Sequence, residues 1–326
     1  MKKFIKGTLI ILSALIGLVA IFLIYVQTTY RQKYTVQVQE KAPIRASQDS
    51  AVIARGRYLV MGPAHCPSCH VPLEMQDKVE KGEEVPLIGG YEWNLPIGVL
   101  RSRNITPDPE TGIGNRTDEE LVRILRYGVS HQNEAVMPFM PFQNVSDEDL
   151  GAMISYLRAQ KPVRNEVALS EYNLMGKAVM RFMIKPEGPT GTPPVSVQPD
   201  TTALYGKYLA HSIANCNGCH TARDMATGAY IGEPFAGGTP FEEGHITLTP
   251  PKLTPDPTTG HIAKWSEETF INRFRGGRVF KESHMPWGPF STLSDNDLKA
   301  IYRYLKSLPP VENKVEVVVR KTAKPE

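Results

Sequence analysis

Two pentapeptides constrain this chain more than anything else in it: Cys66-Pro67-Ser68-Cys69-His70 and Cys216-Asn217-Gly218-Cys219-His220. Two thiols three positions apart, followed at once by an imidazole, is the arrangement that attaches a c-type haem. The thiols form thioethers to the porphyrin vinyl groups, and the adjacent histidine becomes the proximal ligand of the iron. The pentapeptides use all four cysteines, so no thiol remains for a disulfide. A thioredoxin-type pair needs a βαβ context, which is lacking here. A four-cysteine zinc site would leave both histidines unexplained. The expectation is two covalently bound haem c groups, one on Cys66 and Cys69 with His70, the other on Cys216 and Cys219 with His220.

An internal repeat surrounds the pentapeptides, with a period near 149 residues. Gly56-Arg57-Tyr58-Leu59 precedes the first and Gly206-Lys207-Tyr208-Leu209 the second. Downstream, Thr106-Pro107-Asp108-Pro109 matches Thr254-Pro255-Asp256-Pro257, and Met137-Pro138-Phe139 matches Met285-Pro286-Trp287. Ser146-Asp147-Glu148-Asp149-Leu150 matches Ser294-Asp295-Asn296-Asp297-Leu298. The repeat predicts two domains, 51–165 and 201–312, joined by a linker over 166–200 and followed by a tail over 313–326.

Each copy reads as helical with long loops. A first helix runs into the pentapeptide. A middle helix starts at the capping hydroxyl of Thr117 or Ser266 and stops at Gly128 or Gly276-Gly277. A last helix starts at Ser146 or Ser294, with acidic residues in its first turn that suit the helix dipole. Its apolar stripe is Leu150, Met153, Ile154 and Leu157, or Leu298, Ile301, Tyr302 and Leu305. Gly56 and Gly206 are expected where the first helix crosses the last closely. Within the linker, 172–184 is expected to hold a short helix, followed by an extended proline-rich stretch to Pro199.

Lys2, Lys3 and Lys6 precede Gly7 to Val26, twenty residues without a charge. At about 1.5 Å per residue this run spans about 30 Å, a bilayer's hydrocarbon thickness. The A-x-A pattern of a cleaved signal is missing after it. The reading is an uncleaved anchor over 1–30 with a polar tether over 31–50. The lysines place its amino terminus in the cytoplasm, and the haem domains in the periplasm. A net charge of +3 with no long basic run excludes nucleic acid as a partner.

An electron-transfer haem fills its sixth position, often with methionine sulfur. Met137 and Met285 hold equivalent places, each before a proline, between the middle and last helices. Met140 is a rival in the first copy, where the second has Gly288. His131 and His284 are rivals that do not align with each other. His65, His211, His245 and His261 read as surface or haem-edge residues, and Tyr91, Trp93, Trp265 and Trp287 as haem packing.

With these residues in place, both copies resemble class I c-type cytochrome domains. Asn104-Ile105-Thr106-Pro107-Asp108 and Met285-Pro286-Trp287 are similar to the cytochrome subunits of membrane-bound alcohol, gluconate and related dehydrogenases. The resemblance covers residues 51–312. It implies an all-α fold of two tandem cytochrome c domains behind one transmembrane helix. It also places Asn104 and Thr106, with Thr254 in the second copy, near the haem propionates. The expected activity is single-electron transfer without a catalytic step of its own. The donors and acceptors to expect are a dehydrogenase, a quinol-oxidising complex or a terminal oxidase. The alternatives are a dihaem peroxidase and a haem-containing docking subunit. Pyridine haemochrome analysis of the purified chain is expected to count two covalently held porphyrins per polypeptide, and any other number refutes the reading.

Overall fold

The computed structural model describes residues 2–36, 42–224, 228–243, 246–313, 315 and 319–321. Helix α1 (Lys2–Thr29) is apolar and almost wholly exposed, and its carboxyl-terminal end meets the rest of the chain. It is the one helix among the described residues long and apolar enough to cross a membrane. Part of the expected tether, 37–41, lies outside the described residues. The remainder folds back rather than hanging free. Ile44 is buried, Ala46 N donates to Asp118 at 2.8 Å, and Ser47 N donates to Ser155 Oγ at 2.8 Å.

The first half continues with α2 (Ser50–Met61), α3 (Pro67–His70) and α4 (Gln76–Glu80). Strands β1 (Glu92–Leu95) and β2 (Gly98–Arg101) follow, then α5 (Asp118–Tyr127) and α6 (Asp147–Ala159). The linker carries β3 (Glu171–Tyr172) and α7 (Leu174–Phe182). The second half has α8 (Ala203–Tyr208), which runs into a π-helical turn over Leu209–Ile213, and then α9 (Cys216–His220). Strands β4 (Phe241–Glu243) and β5 (Ile246–Leu248) precede α10 (Glu267–Arg275), α11 (Trp287–Ser291) and α12 (Asp295–Ser307). Strand β6 (Val319–Lys321) closes the described chain.

The caps stand where the sequence puts them. Thr117 and Glu120 form a reciprocal capping box on α5, and Ser266, Ser146 and Ser294 cap α10, α6 and α12. Gly128 ends α5 in the left-handed conformation, at φ 64°. After α10 that role shifts one residue, to Gly277 at φ 62°.

The all-α expectation needs correcting. Two antiparallel three-stranded sheets, β1-β2-β3 and β4-β5-β6, occupy what read as loops, linker and tail. Their strands have two to four residues, too few to show a period of two. Each third strand arrives from a distant part of the chain, so no local pattern announces the pairing.

Packing centres on two helix crossings, α2 on α6 and α8 on α12. A Cβ added at Gly56 would lie 1.8 Å from the Ala152 carbonyl oxygen, and one at Gly206 would lie 1.9 Å from that of Ala300. Only glycine permits backbones this close. Leu59, Val60, Leu150 and Ile154 are fully buried around the first crossing, and Leu209, Ile213, Leu298 and Ala300 around the second. One continuous apolar cluster takes in both halves.

Two tyrosines at equivalent places in the repeat lock the halves together. Tyr58 OH donates to Asp297 Oδ2 at 2.5 Å and accepts from Ser294 N at 3.0 Å. Tyr208 OH donates to Asp149 Oδ2 at 2.8 Å and accepts from Ser146 N at 3.1 Å. Each half thus caps the last helix of the other. Burial, and then the facing carboxylate, raise both phenol pKa values, so both hydroxyls remain donors. Arg55 holds Asp149 from the other side with two bonds, at 2.8 and 3.0 Å. Replacing Tyr58 or Tyr208 by phenylalanine is expected to cost about 1.5–3 kcal/mol, the range for hydrogen bonds to charged groups. Gly56→Ala is expected to cost at least the ~1–3 kcal/mol of core overpacking. Denaturant unfolding followed by circular dichroism measures both.

Candidate haem-binding sites

Each cysteine turn leaves its first helix through one left-handed residue, His65 at φ 41° or Asn215 at φ 50°. The chain then restarts as a single helical turn carrying both thiols and the histidine. In the first half, Pro67 opens that turn, a position where its missing N–H costs nothing. Cys66, Cys69 and Cys216 are half-buried and Cys219 is exposed, all four as free thiols. Burial pushes the Cys66 and Cys216 thiols up to about 12 and Cys69 to about 11. Among the described residues, no three His, Cys, Asp or Glu side chains converge as a cage for a bare metal ion.

Both histidines are held in one way. His70 Nδ1 lies 2.8 Å from the Arg103 carbonyl oxygen, and His220 Nδ1 lies 2.7 Å from that of Pro251. A carbonyl only accepts, so Nδ1 carries the proton and Nε2 carries the lone pair. This is the outer bond that orients a metal-ligating imidazole and sets its tautomer. Burial lowers both pKa values, that of His220 to about 4. Both rings are therefore neutral at physiological pH, as a ligand must be. Two thiols and a neutral, oriented imidazole on one turn fit a covalently attached haem.

The methionine segments also match. Phe139 N donates to Met137 O at 2.8 Å, and Trp287 N donates to Met285 O at 2.8 Å, the same tight turn twice. Met285 is half-buried and packs on the apolar cluster. In the first half Met140 does so, while Met137 lines a recess with it, beside Ile124, Gly128 and Val136. Both segments are fixed at their far ends by an arginine from the middle helix. Arg126 donates to Val145 O at 2.7 Å and pairs with Asp147 at 2.6 Å. Arg275 donates to Leu293 O at 2.6 Å and pairs with Asp295 at 2.5 Å. This clamp escaped the sequence reading, although Arg126 and Arg275 do align in the repeat.

Asn104 and Thr106 turn inward. The Asn104 amide donates to Thr111 Oγ1 at 3.0 Å and to Val163 O at 2.9 Å. Its oxygen accepts from Thr106 N at 3.0 Å and from Thr106 Oγ1 at 2.8 Å. These four bonds fill the amide and brace the loop against the chain leaving α6. Lys252 replaces Asn104 in the second half and reaches the equivalent partners, Thr259 Oγ1 and Val311 O, together with Asp256. An ammonium has no acceptor. Among the described residues, the buried Thr254 hydroxyl accordingly has no partner.

Most of the remaining histidines and aromatics are held by ring contacts and hydrogen bonds. His65 meets Phe290 edge-on at 5.4 Å, and His211 lies 2.7 Å from Tyr304 OH. Trp93 packs on Phe139, and Arg273 lies 3.6 Å over the Trp287 ring. His261 lies tilted against Trp265 at 5.3 Å, and His284 meets Phe241 edge-on at 4.9 Å. His131 is exposed, and its pKa is lowered by burial and then by Arg116. His245 lies outside the described residues.

Residues 202–305 match a family described as cytochrome c oxidase, cbb3-type, subunit III. The chain is 32% identical, over 81% of its length, to the cytochrome c subunit of a quinone-dependent alcohol dehydrogenase from Gluconobacter oxydans. It is 29% identical, over 80% of its length, to the gluconate 2-dehydrogenase cytochrome c subunit from Pantoea cypripedii. A diheme cytochrome c-type protein from Cereibacter sphaeroides is 26% identical over 76% of this chain and 83% of its own length. The chain spans 56% of the alcohol dehydrogenase subunit and 60% of the gluconate one. The expected resemblance is thus borne out: residues 202–305 match a cytochrome c family, and the chain is similar to dehydrogenase cytochrome subunits.

The loop brace generates its own test. Lys252→Asn is expected to keep the unfolding midpoint, because the amide restores an acceptor for Thr254. Lys252→Met is expected to lower it, because Asp256 loses its cation. Thermal unfolding of the two variants compares them directly.

Proposed function

We propose that this relative of dehydrogenase cytochrome subunits is a membrane-anchored dihaem electron carrier. In this reading 51–165 and 201–312 are two tandem cytochrome c domains. The single observation that carries it is the doubled histidine geometry, Nδ1 on a carbonyl at 2.8 and 2.7 Å in the two halves. A chain with one haem has no reason to build that support twice.

Bound haem iron supplies a one-electron ferrous–ferric couple whose potential the protein tunes. Cys66, Cys69, Cys216 and Cys219 tether the groups, and His70 and His220 hold the proximal side. Met137 and Met285 present thioether sulfur, which favours the ferrous form. The equivalent turns at these two methionines support Met137 over Met140. The two halves differ in where their cations stand: Arg103, Arg116 and Arg123 in the first, against Lys252, Lys264 and Arg273 in the second. That difference supports two separate potentials. The interlocked halves suit a short two-step wire between a membrane dehydrogenase and a downstream acceptor. Helix α1, with lysines at its start, supports an inner-membrane anchor with both haem domains periplasmic.

Reductive titration of the holoprotein is expected to take up two electrons per chain in two resolved steps. Met285→Ala and Met137→Ala are each expected to abolish one low-spin methionine signature and lower one potential. Met140→Ala is expected to leave both potentials in place. An unchanged spectrum for Met137→Ala together with a lost signature for Met140→Ala would move the first-half ligand to Met140.

A further inference from the structure

Helix α7 is seated on two sides and bare on a third. One side is bolted to the first half. A Cβ at Gly176 would lie 2.0 Å from the Ile97 carbonyl oxygen. Asn173 caps the helix and donates to Pro96 O at 2.7 Å, and β3 just before it pairs with β2.

The second side meets the upper end of α1. The Phe182 ring stacks on Phe22 at 6.1 Å and lies 6.5 Å from Tyr25. Arg181 bonds Tyr25 OH, lies 5.1 Å over the Tyr25 ring and donates to Thr29 Oγ1 at 3.2 Å. Lys177 donates to Gln27 Oε1 at 2.8 Å and sits 5.4 Å from the Tyr30 ring centre.

The bare side is apolar. Leu174 is 49% exposed, Met175 51% and Met183 49%, and Phe182, at the border with α1, is 47% exposed. These positions, with Ala178 between them, follow one helical stripe. The helix carries Lys177 and Arg181 and no acidic residue.

We infer that α7 lies in the outer interface of the bilayer that α1 crosses, with Leu174, Met175, Phe182 and Met183 among the lipid chains. The occupant of the bare face follows from its neighbour. Phe22 is four residues inside the end of the uncharged run at Val26, so it lies about 6 Å below that end. A ring stacked on Phe22 therefore sits at the depth of the acyl chains. Above it come tyrosines, then lysine and arginine, the order of groups at a membrane surface. A basic helix with an apolar stripe suits a surface of anionic headgroups. Because the β1–β2 hairpin rides on α7, the contact fixes the first half against the bilayer instead of leaving it on a loose stalk.

The inference rests on α1 being a membrane span. Its test uses the full-length holoprotein in phosphatidylcholine nanodiscs containing phosphatidylglycerol. Single spin labels go at Met175→Cys, at Leu12→Cys in the span, and at Leu204→Cys, which is 80% exposed and lies on α8 in the second half. Oxygen favours lipid and a nickel chelate favours water, so their relative accessibility reports depth. The expected result is that 175 matches 12 and that 204 favours the nickel chelate. A label at 175 that matches 204, while 12 stays in lipid, overturns the inference and leaves the anchor standing. A label at 175 shielded from both probes means protein covers this face, which also overturns it. A label at 12 that reads as water removes the anchor, and the inference with it.

Discussion

Two close backbone approaches, Gly56 on Ala152 and Gly206 on Ala300, set the path of the chain in each half. They bring the first and last helices so near that no side chain fits between them. The first helix can then end at one depth only. A single left-handed residue, His65 or Asn215, turns the chain sharply enough to restart it as the cysteine turn. The histidine at the end of that turn comes within reach of one backbone carbonyl. A side chain could be replaced as that acceptor; a backbone oxygen is supplied by any residue, which is why Arg103 and Pro251 perform the same task.

The same economy appears elsewhere in the repeat. Asn104 and Lys252 differ in charge, yet both brace their loop to the strand of chain after the last helix. The first solution satisfies every polar atom; the second leaves a hydroxyl without a partner and introduces a buried ion pair. Arg126 and Arg275 keep both chemistry and geometry, because a fork is needed to hold a carbonyl and a carboxylate at once. The repeat preserves contacts first and side chains second.

The reciprocal tyrosines make the two halves one body. Each phenol serves as acceptor for a helix-cap N–H and donor to a first-turn carboxylate in the opposite half. Neither half can slide without uncapping the other's last helix.

Local chemistry made part of this legible in advance. Caps at Thr117, Ser146, Ser266 and Ser294, the glycine stops, the cysteine turns and the apolar first helix all depend on neighbours within a few residues. The short sheets, the docking of the tether through Ile44 and Ala46, and the seat of α7 on α1 depend on partners far along the chain. No periodicity in a two-residue strand foretells β3, and nothing in 172–184 names Phe22 as its neighbour.

The amino-acid order alone determined that there are two cysteine–histidine turns, where the neighbouring helices begin and end, and that a span-length apolar helix precedes them. Those are matters of residue type and spacing, which act along the chain. Tertiary structure alone decided which carbonyls orient the histidines, which tyrosine caps which helix, and which face of α7 stays bare. These contacts join atoms many residues apart, and only the packed chain brings such atoms within hydrogen-bonding distance.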